Sequence, residues 1–182
     1  MLKRLLIPAL IFCVANRCLA QKYTPVPSES VVEFKVKNFG INVGGNFGEI
    51  EGHIVFSAQQ LQNAVFDVKI KAESLHTGIN QRDNHVRSDD FLDVAKFPYM
   101  YFVSTKVTRS TNSAYLYVFG KLTIKDVTKE ISFPFKATPQ NGDMIFEGEF
   151  SLNRRDYHVG KGSLTMGDIV KVNLRVKAKA SP

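Results

Sequence analysis

From Val31 onward, apolar and polar residues alternate with a period of two, in segment after segment. Val32, Phe34 and Val36 alternate with Glu33, Lys35 and Lys37, and Phe66, Val68 and Ile70 alternate with Asp67, Lys69 and Lys71. Leu122 and Ile124 are set among Lys121, Thr123 and Lys125, while Ile131, Phe133 and Phe135 are set among Ser132, Pro134 and Lys136. Near the end, Val170, Val172, Leu174 and Val176 alternate with Lys171, Asn173, Arg175 and Lys177. Successive side chains of a strand point to opposite faces, so each segment has one wet and one apolar face. The pattern predicts an all-β protein whose antiparallel sheet is solvated on one side. Asn38 to Gly40, Gly44 to Asn46, Thr111 to Ser113 and Asn141 to Asp143 tolerate left-handed backbone and mark expected turns.

Eight strands are expected, at about 29–38, 47–57, 64–73, 98–108, 114–125, 129–138, 143–153 and 168–178. Eight antiparallel strands close into an up-and-down barrel, which removes exposed edges. A two-sheet sandwich is also compatible with alternation alone. The stretch from about Asn80 to Lys96 breaks the pattern with a polar run, Gln81 to Asp89, before Phe91 and Leu92. It is predicted to form a short helix or ordered loop across one end of the barrel.

The chain opens with Lys3 and Arg4, an apolar run from Leu5 to Ala15, and small residues at Cys18 and Ala20. This is the pattern of a secretory signal peptide over residues 1–20, cut after Ala20, which leaves one domain, 21–182, in the periplasm or outside the cell. The run is shorter than the roughly 20 residues of a membrane span. Lipidation at Cys18 is disfavoured, because Ala15, Asn16 and Arg17 put an amide and a charge where a lipobox is small and apolar. Cys13 and Cys18 both fall in the removed segment, so no disulfide, thiolate nucleophile or Cys-ligated metal is expected. Without Lys3, Arg4 and Arg17 the 24 basic residues fall to 21 against 17 acidic, a formal charge of +4 spread singly along strands, which argues against a nucleic-acid partner.

Fourteen phenylalanines and no tryptophan supply the interior. On the inward parity stand Phe34, Val36, Phe47, Phe66, Val68, Phe102, Leu122, Phe133, Phe135, Phe146 and Phe150, the candidate apolar lining of a ligand site. An eight-stranded barrel can be filled by such side chains or can hold one small ligand. Gly48, Gly52, Gly120 and Gly148, inside expected strands, favour open space. Arg82, His85, Arg87 and Arg155 could offer charge-assisted hydrogen bonds to a polar or phosphate head group at the mouth, or could pair with Asp83, Asp89, Asp90, Asp93 and Asp156 to pin the loop. His53, His76, His85 and His158 show no ligand spacing, so no metal is expected, and no cofactor motif or Gly-x-Ser-x-Gly is present. The reading is a non-catalytic binder of an apolar molecule. Its rivals are a filled barrel acting through its outer surface, and a hydrolase or isomerase built on His85 and the neighbouring aspartates.

The segment Arg82, Asp83, His85, Arg87, Ser88, Asp90, Phe91, Leu92, Asp93, followed by Lys96, Phe97, Pro98, Phe102, Ser104 and Thr105, resembles the R-D-x-H-L-R-S-x-x-F-F-D and y-P-x-i-x-F-x-S-T motifs of the YceI-like proteins. Val36 to Gly40 is similar to that family's V-K-H-L-G, Gly45 to Gly52 to its G-x-F-x-x-F-x-G, and Gly120 to Thr128 to its G-x-L-T-I-x-G-V-T. Asn38, Leu92 and Asp126 depart from the usual His, Phe and Gly. The resemblance implies an exported, lipocalin-like barrel around a polyisoprenoid or similar long-chain lipid, with no catalytic residues to carry over and with homodimers common.

Overall fold

The computed structural model describes residues 20–111 and 114–181. Residues 1–19 of the expected leader, and Asn112 and Ser113 of one expected turn, lie outside the described residues. The strands are β1 (Gln21–Pro25), β2 (Val31–Asn38), β3 (Ile41–Phe47), β4 (Ile50–Phe56), β5 (Val65–Lys71), β6 (Tyr99–Arg109), β7 (Leu116–Ile124), β8 (Val127–Gln140), β9 (Asp143–Asn153) and β10 (Met166–Ala180), with helix α1 (Asn80–Arg87) between β5 and β6.

All pairings are antiparallel, and β4 to β10 follow one another as a meander. The free edge of β10 is met first by β2, with Val172 opposite Phe34, and then by β1, with Ala180 opposite Tyr23. β1 also pairs with β4, Tyr23 opposite Ile54, and this closes the sheet. β1 and β2 therefore act as one broken wall position, as do β3 and β4, and the ten segments make an eight-stranded barrel. Closure excludes the sandwich.

The strand reading is corrected in two places. β1 was not expected, because Tyr23 and Pro25 bury too short a stretch to show a periodic signal. The turn expected at Gly44 to Asn46 is instead the middle of β3. Those glycines serve close approach: a Cβ on Gly44 would stand 2.6 Å from the Phe34 carbonyl oxygen, and one on Gly45 2.9 Å from the Phe34 ring. The true turn after β2 is Phe39 and Gly40, both with positive φ, as are Asn141 and Gly142 after β8.

The interior divides into two clusters. Tyr23, Phe56, Phe66, Phe135 and Phe146 interlock largely edge to face, with ring centroids 5.3–6.4 Å apart, and fill most of one half. Leu75, Leu92, Ile124 and Tyr157 form the second cluster, beneath α1 and the loop that follows it. The connections β2–β3, β5–β6, β7–β8 and β9–β10 all gather at this second end. β5 stops at Lys71, whose amide donates to the Glu49 carbonyl, so β3 runs on past it. Among the described residues the far side of β3 is met by one isolated bridge, Asn46 to His76, and the segment 72–98 fills the gap in the wall.

Candidate ligand cavity

α1 starts after Ile79, and Asp83 in its first turn suits the positive end of the helix. At its other end the Ser88 hydroxyl donates to the His85 carbonyl, and the amides of Leu92, Asp93 and Val94 return to the carbonyls of Val86, Ser88 and Arg87. The chain is thus folded back so that Phe91 and Leu92 face the barrel. Residues three and four apart share a helix face, which is why Arg82, His85 and Val86 look inward together.

Beneath them lies an apolar cavity of about 430 Å³. Its walls are Val32, Phe34, Val36, Val43, Phe47, Ile70, Met100, Leu122, Ile124, Leu152, Val170 and Val172, and Phe91, Leu92 and Val159 roof it. Polar groups stand toward the loop end: Asn38, Thr77, Arg82, His85, Arg154, Tyr157, Ser163 and Thr165. Val32, Ile70, Leu122 and Phe150 make its floor and are shared with a second void of about 110 Å³ that reaches into the packed half. There Phe150 stacks on Phe133 at 4.8 Å.

Two polar networks hold the roof. Asp83, almost wholly buried, accepts hydrogen bonds from the Thr77 hydroxyl and amide and faces His76 Nδ1 at 3.4 Å, while Arg82 donates from Nε to the Thr77 hydroxyl and from Nη2 to its carbonyl. The Thr77 hydroxyl, chiefly, holds the Asp83 carboxyl below the usual carboxylate range against the opposing effect of burial. On the other side Arg154, 2 % exposed, donates to the carbonyls of Gly167 (3.1 Å), Val159 (2.9 Å) and Lys161 (3.0 Å) and to Asp168 Oδ1 (2.7 Å). It thereby ties the whole β9–β10 connection over the mouth.

Of the residues singled out in the sequence, Phe34, Val36, Phe47, Leu122 and Phe150 line the main cavity. Phe66, Val68, Phe102, Phe133, Phe135 and Phe146 border the smaller void instead, in the packed half. Arg82 and His85 stand at the roof, but Arg87 turns away, donating to the Leu75 carbonyl and pairing with Glu73 at 3.6 Å, and Arg155 is exposed outside the cavity. At the mouth its neighbour Arg154 lines the cavity instead, with its guanidinium committed to the β9–β10 connection. The glycine reading also needs correction. The space beside Gly120 is filled by the Phe102 ring, that beside Gly148 by Phe133, and that beside Gly52 by the β5 backbone. Beside Gly48 the space is open, but none of the four glycines lines the cavity. The His85 and aspartate centre is not assembled: the His85 ring stands edge-on to Phe91 at 5.0 Å, Asp83 is engaged by Thr77 and His76, and Asp90 faces Lys161 at 4.0 Å.

A profile described as the YceI-like domain matches residues 23–178. The chain belongs to this family. Relatives of this YceI-like protein include a UPF0312 protein of Yersinia enterocolitica, 29% identical over 163 residues that cover 85% of this chain and 84% of the relative. Another, from Pseudomonas syringae pv. tomato, is 37% identical over 137 residues, 70% of each chain. Among solved structures, Burkholderia cenocepacia BcnA superposes with a TM-score of 0.80 at 21% identity, over 85% of this chain and 99% of that one. A polyisoprenoid binding domain from Saccharophagus degradans gives a TM-score of 0.72 at 15% identity, over 90% and 99%. At such identities these two likenesses speak to the fold. A Campylobacter jejuni YCEI protein gives 0.69 at 26% identity, over 78% and 86%.

Proposed function

We propose that this YceI-like protein is an exported, non-catalytic carrier that sequesters the apolar chain of an amphiphilic lipid, of isoprenoid or similar class, with the head group left at the roof. The observation that carries the reading is a cavity of about 430 Å³, apolar along its walls and polar toward one end. Its size lies in the range of small-molecule sites, roughly 300–1,000 Å³. The polyisoprenoid-binding description of a structural neighbour, and the leader-like residues 1–20, support lipid and export respectively. Arg82, His85, Ser163 and Thr165 are the head-group candidates, because they line the polar end.

Each methylene moved from water into such walls gains about 0.8 kcal/mol, so affinity rises roughly tenfold for every two carbons added. That rise stops where the chain meets Phe150 and Leu122, unless their side chains part and join the lower void. The test is native mass spectrometry of protein purified without detergent from the exported fraction, followed by titration with isoprenoid alcohols of increasing length. A stoichiometric adduct is expected, and it is expected to vanish in a folded Leu152→Trp variant whose indole occupies the cavity. An adduct-free mass before and after incubation would overturn the reading and favour a barrel acting through its outer surface.

A further inference from the structure

The inward face of the β2–β3 hairpin does not end with the barrel. Val36 faces Val43 inside, and one step further along the same parity Asn38 faces Ile41, whose side chain is 70% exposed. Between them Phe39 is 75% exposed although it borders the cavity, and it sits at φ +50, a left-handed conformation that a bulky side chain adopts only at a cost. The Phe39 amide donates to the Thr165 carbonyl at 2.9 Å, which joins this tip to the β9–β10 connection, where Leu164 is fully exposed. Single exposed apolar residues need no explanation. Here three stand on two tethered loops, continuous with the lining of one cavity.

Within these two loops the charge has one sign. From Lys35 to Gly45 and from Tyr157 to Gly167 the chain carries Lys35, Lys37 and Lys161 and no carboxylate. Asp168, next in sequence, is taken up by Arg154. Lys161 has the exposed Asp90 at 4.0 Å, so the cationic contribution at the tip comes chiefly from Lys35 and Lys37. An apolar tip flanked by lysines matches an anionic lipid surface, into which apolar side chains insert while cations meet head groups.

We propose that Phe39, Ile41 and Leu164 form a lip that docks on an anionic bilayer, where the cavity exchanges its lipid without passing the apolar chain through water. This rests on the carrier reading for its purpose, but its test does not depend on it. The chain beginning at Gln21, which carries every strand described above, is floated with phosphatidylcholine vesicles and with vesicles containing phosphatidylglycerol, at low and high salt. Neither Ile41 nor Leu164 lines the cavity, so the variant is Ile41→Asp with Leu164→Asp, and Val103→Asp on the outer wall of β6 serves as control.

Wild type and V103D are expected to float with the anionic vesicles and less so at high salt. The double variant is expected to lose tenfold or more of the bound fraction while keeping its melting temperature and its co-purified adduct by native mass spectrometry. Equal flotation of the double variant, or no flotation of a wild type that carries lipid, would overturn the docking proposal and leave the carrier reading standing; the second result would point to a protein donor. Flotation of a protein that never carries lipid would uphold the lip and remove the carrier reading.

Discussion

Arg154→Met removes the guanidinium and keeps an unbranched stem of comparable reach. In the wild type that guanidinium is 2 % exposed and satisfies three carbonyls, of Gly167, Val159 and Lys161, together with the Asp168 carboxylate. Breaking a buried charge pair by deleting one partner costs about 3–5 kcal/mol. The lower end applies here, because the Asp168 side chain is 45% exposed and can return to water. We therefore expect a loss of about 3 kcal/mol, most of it from stranded carbonyls. With a urea slope near 2 kcal/mol/M for a domain of this size, the unfolding midpoint should fall by about 1.5 M at an unchanged slope. Far-UV circular dichroism in a urea series reads this directly. Adding Asp168→Asn should recover little, since three of the four bonds go to the main chain. A midpoint drop under about 0.5 M, or near-full rescue by the second change, would refute the assignment of Arg154 as the tie of the β9–β10 connection.

Gly120→Ala should destabilise by about 1–3 kcal/mol, because the new Cβ would lie 2.6 Å from both the Phe102 ring and the Val103 carbonyl, whereas Gly48→Ala, with nothing within 4 Å, should not; thermal melts of the pair check this. Asp83 has its folded pKa depressed, so it contributes stability above its unfolded value, about 3.9, and loses that contribution as pH falls through the lower folded value. Asp83→Asn should therefore be less stable near neutral pH and show a shallower acid limb; parallel stability curves for the two proteins would contradict the Thr77 and His76 network as drawn.

The barrel was legible because alternation is a property of each strand by itself: β2, β5, β8 and β10 each declare an apolar face before any partner is known. What stayed hidden depends on partners. Gly44 and Gly45 look like a turn in one dimension and become strand only when Phe34 needs to lie against them. The choice between Arg154 and Arg155 was open to a finer reading: Arg154 continues the parity of Phe150 and Leu152, and extending the count one residue past β9 selects it. Likewise the spacing of Arg82, His85 and Val86 separates them from Arg87 once the segment is a helix. The gap in the wall had no sequence signal, since it arises from β5 ending level with Glu49 while β3 continues.

That unequal length makes the container mechanically two-sided. Around most of its circumference, widening the cavity would mean unzipping a ladder, a cooperative event on the scale of global unfolding. Across the gap beside β3, the wall is a plug of side chains hung on the Asn46 to His76 bridge, the Ala72 to Pro98 hydrogen bond and the Thr77 network. On the carrier reading proposed above, cargo enters there by a local opening while the hoop stays intact, so the rate of exchange and the stability of the protein are set by different residues and can be altered one without the other.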